Sequence, residues 1–226
     1  MPPPGPARGR FIVLEGGEGA GKSTQARLLA EALCARGLPV LRTREPGGAP
    51  GSEFLREALL SGVHDWSPEA ETMLHVAARI QHVARTIRPA IESGSWAVCD
   101  RFHDSTLAYQ GHGLGVDRGL IEGLRAHVGL TPDLTLVLDV PRDVARARLR
   151  ERGLADDRYE RLDEDFHARV NAAFRVLADA PGHVLVDASG DVGAVHRAIL
   201  TAVERLMPVP NMAPLDPTPL GEIHTS

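Results

Sequence analysis

Lysine is almost absent from this chain. Of 25 basic residues only Lys22 is a lysine, and all the others are arginines. Guanidinium groups therefore serve wherever a general positive charge suffices, and Lys22 occupies a position that asks for a compact ammonium on a flexible stem. Cysteine is scarce as well. Cys34 and Cys99 are the two present, and their wide separation excludes a disulfide framework and the paired spacing of a zinc site, which fits a reduced, cytoplasmic setting. No apolar run reaches the length of a bilayer span, FIVL and LTLVL being among the longest, and MPPPGPARGR lacks the apolar stretch of a secretory signal. Nor is there an excess of positive charge. A net charge of -5 excludes action through bulk basicity on nucleic acid or a membrane surface, so an anionic ligand must be met by a local site.

What is present is ordinary globular material: 226 residues, 43% hydrophobic and 24% charged, enough for one sizeable core. Pro-rich ends, 1–9 and 208–226, have little to bury and are expected to be flexible tails around a domain spanning 10–207. Within it, apolar strands alternate with longer helical segments. RFIVLEG, LPVLRTR, SWAVCDR, PDLTLVLDV and HVLVDAS read as five strands. The intervening helices are expected to run to about Arg36, from Ser52 to Leu60, from Ser67 to Arg88, to about Val128, from Arg142 to Arg152, from about Asp157 to Ala178, and to about Met207. Repeated β-α units with continuous apolar strands predict an α/β fold, a five-stranded parallel sheet flanked by helices. Ligands of such sheets sit at the carboxyl ends of the strands.

The stretch GGEGAGKST, Gly16 to Thr24, follows the first strand and opens a helix. It matches the phosphate-binding G-x-x-x-x-G-K-[ST] pattern in the context that gives the pattern its mechanism. Gly16, Gly17, Gly19, Ala20 and Gly21 allow backbone N–H groups to curl around phosphate oxygens, and the helix beginning near Ser23 adds its positive dipole end. Lys22 is expected to reach the terminal phosphates of ATP, and Ser23 to hold Mg²⁺ beside Thr24. Glu18 is the misfit. A carboxylate opposes a loop built for anions, so its presence favours a second, sugar-bearing ligand nearby.

A second set of charges lies at later strand ends. TREPGG places Arg44 at one carboxyl edge, and CDRF places Asp100 and Arg101 at another. The two guanidiniums are suited to clamp a second phosphate, and Asp100 to orient Mg²⁺ through water. His103 and His112 form no metal spacing.

Taken together, EGGEGAGKST, TREPGG, AARIQHV, CDRFHDSTLAYQG and TPDLTLVLDV resemble thymidylate kinase, the P-loop kinase family that phosphorylates dTMP to dTDP with ATP. The resemblance runs from Arg10 to Met207. It implies that Arg44 and Arg101 grip the dTMP phosphate, that Arg79 hydrogen-bonds the thymine edge, and that Glu18 contacts the sugar 3′-hydroxyl. It further implies that Ser105 and Tyr109 line the deoxyribose and base, Tyr109 crowding out a 2′-hydroxyl, with Gln110 a further pocket contact. Family members are usually homodimers. Where some carry a basic residue directly after the loop acid, this chain has Gly19, so a catalytic arginine must come from elsewhere. RARLRERGLADDRYER supplies Arg146, Arg148, Arg150, Arg152 and Arg158 in a lid of about 146–160, matching the bacterial class; Arg152 and Arg158 are preferred, then Arg148. One position departs from the family. The phenylalanine that usually stacks on thymine is His75 here; either its imidazole stacks instead, or it faces the core and Val76 or Leu74 moves inward. Other nucleoside monophosphate kinases and P-loop ATPase switches are the rival readings.

Overall fold

Runs of adjacent apolar residues form the centre of the protein. The computed structural model describes residues 7–152, 159 and 161–207. Its strands are β1 (Phe11–Glu15), β2 (Val40–Arg44), β3 (Trp96–Asp100), β4 (Leu134–Asp139) and β5 (His183–Asp187). They form one five-stranded sheet in the order β2-β3-β1-β4-β5, every pair parallel. All of β1 and the leading residues of β3 and β4 are buried, whereas β2 and β5 are partly exposed edges. Both faces of the sheet are covered. Ile12 and Leu14 pack on one side with Val98, Leu136, Leu29 and Ile199, while Phe11 and Val13 pack on the other with Cys99, Val76, Ile87 and Phe102. This follows from the two-residue period of a strand, and explains why a buried parallel strand reads as continuously apolar.

The helices are α1 (Lys22–Ala35), α2 (Pro50–Leu60), α3 (Pro68–His82), α4 (Arg88–Glu92), α5 (His103–Thr106), α6 (Arg118–Val128), α7 (Arg142–Arg152), α8 (Glu164–Leu177) and α9 (Val192–Glu204). Ser67, Asp117, Asp163 and Asp191 each cap a helix by accepting a backbone N–H three residues ahead. The cap at Asp163 explains why α8 starts at Glu164 rather than near Asp157. A π-helical turn, Val83–Ile87, joins α3 to α4. It accommodates Pro89, which lacks an N–H and crowds the preceding turn, so the helix continues past Arg88 to Glu92. A second π-helical stretch, Leu107–Gly113, follows α5.

Topology and register gather the charged strand ends. β1 lies between β3 and β4, where the winding of the chain reverses, so the loop after it opens at the switch point of the sheet. Leu14 is level with Asp100, and Asp100 with Arg44. Arg8 and Gly9, within the stretch expected to be a tail, are attached: Arg8 pairs with Asp133 at 3.3 Å and the Gly9 N–H bonds the Ile91 carbonyl at 2.8 Å. The 208–226 stretch lies outside the described residues. No helix among the described residues is long and apolar enough to cross a membrane.

Candidate active site

The loop between β1 and α1 is shaped by its glycines. Gly16 has φ 135° and Gly19 φ 73°, conformations that L side chains resist. A Cβ on Gly19 would also lie 2.5 Å from the Ala145 carbonyl oxygen of α7. The absence of a basic side chain there is thus enforced by packing. Lys22 is buried, and its Nζ donates to the carbonyls of Gly16 at 3.0 Å and Gly17 at 2.7 Å. Burial, with repulsion from Arg101, lowers its pKa to about 8. Ser23 and Thr24 are exposed at the start of α1, and the Ser23 hydroxyl donates to Asp100 Oδ2 at 2.5 Å.

Arg101 is the hub. It adopts φ 71°, a strained conformation for a long side chain. Its Nη1 donates to Gly16 O and to Ser105 Oγ, both at 3.1 Å. Its Nη2 donates to Glu18 Oε1 and, at 3.1 Å, to the Tyr109 hydroxyl, and the guanidinium lies 4.9 Å from the Tyr109 ring centroid. Tyr109 in turn donates to Glu18 at 2.8 Å. Burial would raise the Glu18 carboxyl, but Arg101 foremost, then Lys22 and the tyrosine hydrogen bond, hold it down at about 2. The loop acid that is out of place for ATP alone is thereby tied to residues of the β3 edge and the helix beyond it.

Behind the hub, Glu15 is completely buried and accepts from Phe102 N at 2.8 Å, Ser105 N at 3.2 Å and Ser105 Oγ at 2.6 Å. Burial and the neighbouring Asp104 push its pKa up to about 7. A carboxylate closing an otherwise apolar strand was the available signal, and sequence reasoning passed over it.

The far side of the cleft is lined by β2, α2 and α3. Arg44 is half exposed and pairs with Glu53 at 3.0 Å. Arg79 is buried, and all three guanidinium nitrogens donate: Nε to Glu45 at 2.6 Å, Nη1 to Thr106 at 3.1 Å and Nη2 to the Phe102 carbonyl at 2.7 Å. One N–H on each Nη remains for the cleft that Arg79 lines. Glu45, unsuspected within TREPGG, also accepts from or pairs with His82 Nδ1 at 3.1 Å. His75 lines the cleft, whereas Val76 lies in the core and Leu74 is half-buried. The His75 Nε2 is 2.8 Å from the Tyr159 hydroxyl, and Gln110, also lining the cleft, donates to both Glu71 and Tyr159. Arg44, Glu45, His75, Arg79, Gln110 and Tyr159 line one continuous cavity of about 650 Å³, running from His75 past the loop to Asp191 and Val192.

A phosphate loop joined to a second, arginine-lined compartment agrees with comparisons to known proteins. The family model described as Thymidylate kinase matches residues 14–199. The chain belongs to the thymidylate kinase family. Among similar curated proteins, thymidylate kinase of Gluconobacter oxydans is 58% identical over 157 residues, 68% of this chain and 73% of that one. Thymidylate kinase of Rhizorhabdus wittichii is 57% identical over 160 residues, 69% and 77% of the two chains. The crystal structure of thymidylate kinase from Ehrlichia chaffeensis aligns with a TM-score of 0.71 at 30% identity, covering 88% of this chain and 100% of that chain.

Of the lid arginines expected in this family, Arg148 reaches the cleft and donates to the Gly190 carbonyl at 2.9 Å. Arg146 pairs instead with Glu164 at 3.1 Å, and Arg150 is exposed. Arg152 ends α7, its side chain outside the described residues, as is all of Arg158. His103 is buried and His112 exposed. Among the described residues no cluster of three or more His, Cys, Asp or Glu could hold a metal. The Mg²⁺ of a nucleotide kinase asks for less, one or two protein oxygens beside phosphates and water. The buried Asp100 Oδ1 has no hydrogen-bond partner among the described residues, and Ser23 sits on its other oxygen. That donor set fits.

Proposed function

We infer that the chain phosphorylates dTMP to dTDP with ATP as donor, and propose how its residues divide the work. Two halves of the cleft take the two nucleotides. The Gly16–Thr24 loop and the Asp191–Val192 side take ATP; the Arg44, Arg79 and His75 side takes dTMP. An oxygen of the dTMP phosphate forms the new bond to the γ-phosphorus, and the bond from that phosphorus to the bridging oxygen of ADP breaks. The acceptor is already an ionised oxygen, so charge and alignment carry the catalysis rather than a general base.

Lys22 supplies a point charge to the transferred group, and Arg101 and Arg44 hold the acceptor phosphate. Glu18 contacts the sugar hydroxyl, Ser105 and Tyr109 line the sugar, and Arg79 and Gln110 read the base beside His75. Arg148, Arg152 and Arg158 complete the charge from the nucleotide side. Mg²⁺ would be held by Ser23, with Asp100 acting through water, and when bound it neutralises phosphate charge. The observation carrying this reading is the Glu18 contact with Arg101 and Tyr109, which joins the ATP loop to the acceptor compartment. We also propose a cytoplasmic homodimer. Its cysteines are free, and Phe54, Met73 and Ile80 of the packed helices α2 and α3 are 73%, 49% and 38% exposed, an apolar face suited to a second copy.

The test supplies ATP, Mg²⁺ and one nucleoside monophosphate at a time while ADP formation is recorded. ADP release that depends on dTMP is expected. Hydrolysis indifferent to every monophosphate would sink the assignment, and preference for UMP or CMP would move it to another monophosphate kinase.

A further inference from the structure

Behind Gln110, the acceptor side of the cleft contains a buried hydrogen-bond set. Glu71 of α3, Gln110 of the second π-helical stretch and Tyr159 beyond α7 are all buried. Tyr159 donates to Glu71 Oε1 at 2.6 Å, Gln110 Nε2 donates to the same oxygen at 2.9 Å and to the Tyr159 hydroxyl at 3.0 Å, and His75 Nε2 lies 2.8 Å from that hydroxyl. These contacts fix which end of the Gln110 amide faces inward. Glu71 Oε1 already accepts from the tyrosine hydroxyl, and the end of the Gln110 amide that faces the same oxygen is its nitrogen. The tyrosine proton is committed to Glu71, so His75 must present Nε2–H to the hydroxyl. Both amide hydrogens of Gln110 are then used, and the group it offers to the cleft is its carbonyl oxygen.

We propose that Glu71, supported by Tyr159, is a specificity-determining positioning residue that locks the Gln110 amide with its carbonyl toward the acceptor base. This rests on the assignment of the Gln110 side of the cleft to dTMP. A fixed acceptor there selects a base presenting a ring N–H, as thymine and uracil do at N3, and rejects cytosine, whose N3 is itself an acceptor. A glutamine free to flip serves either base. Sites that leave a buried polar group facing its own kind discriminate strongly, whereas a rotatable amide does not.

The experiment compares kcat/KM for dTMP and dCMP in the wild-type enzyme and in Glu71→Gln, whose own amide can present either a donor or an acceptor to Gln110, with Tm measured alongside. The ratio of the two specificity constants is expected to narrow by about tenfold in Glu71→Gln, the equivalent of one hydrogen bond redirected. A loss of stability or overall rate with an unchanged ratio overturns the proposal, because a merely structural carboxylate would affect both substrates alike. Glu71→Met removes the acceptor by a different route and must narrow the ratio too; it carries the test where Glu71→Gln does not fold. Gln110→Leu separates the two levels of inference. If it leaves KM for dTMP unchanged, the assignment of the compartment fails; if it raises KM while Glu71→Gln and Glu71→Met leave the ratio intact, the lock alone fails.

Discussion

Replacing Arg101 by methionine would keep most of the buried volume and remove the charge on which the site is organised. Its partner Glu18 has a side chain only 17% exposed and is held from 4.5 down to about 2 with Arg101 as the leading favourable influence. A depressed carboxylate stabilises the fold above its unfolded pKa, and the contribution is lost as pH falls through the folded value. Over the interval from 4.5 to about 2 this amounts to about 3 kcal/mol at neutral pH. Breaking a buried pair from one side typically costs about 3–5 kcal/mol, in the same range. Urea unfolding of wild type and Arg101→Met at a series of pH values reads the difference directly. We expect Arg101→Met to be about 3 kcal/mol less stable at pH 7, and the gap to shrink to about 1 kcal/mol near pH 3, where the unfolded Glu18 is protonated. A gap under about 1 kcal/mol at pH 7, or one that does not change between pH 7 and 3, would refute the view that this ion pair holds the two compartments together.

Three further outcomes follow from the geometry. Lys22→Arg should lose about 100-fold in kcat while remaining folded, because a planar guanidinium does not fit where Nζ meets two loop carbonyls at 3.0 and 2.7 Å; near-native turnover would contradict this. With the Lys22 pKa lowered to about 8 by burial and Arg101, the ammonium is present below that pH and lost above it. The kcat/KM profile should therefore fall through an alkaline limb near pH 8, and a profile flat to about pH 9.5 would rule Lys22 out as its origin. Asp100→Asn should raise the Mg²⁺ concentration for half-maximal activity about tenfold, as loss of an outer metal contact typically does; an unchanged Mg²⁺ requirement would remove Asp100 from that role.

Several parts of this picture are legible along the chain because they depend on neighbouring residues. Five apolar runs predict five strands, since a strand buried on both faces has no polar side. GGEGAGKST predicts a phosphate loop because glycine freedom, an ammonium and a helix start fall within nine consecutive residues, Gly16 to Thr24. The edge position of Arg44, Asp100 and Arg101 follows from their place at strand ends, once the sheet is parallel.

Other parts depend on distance in space. Glu15 reads as the last residue of a strand, and only the fold places Phe102 and Ser105 on its carboxylate. Glu45 reads as a loop charge beside Arg44, and only tertiary packing buries it against Arg79. His75 reads as a departure from the family's phenylalanine, and nothing local announces that Tyr159, 84 residues onward, meets its ring. The sequence by itself determined the sheet, the phosphate loop and the family, because each is written in local spacing and the alternation of apolar residues. Which carboxylate pairs with which guanidinium, and which way an amide must face, was decided by the tertiary structure. Those partners lie far apart in the chain, and burial strengthens their hydrogen bonds and charge pairs by withdrawing them from water.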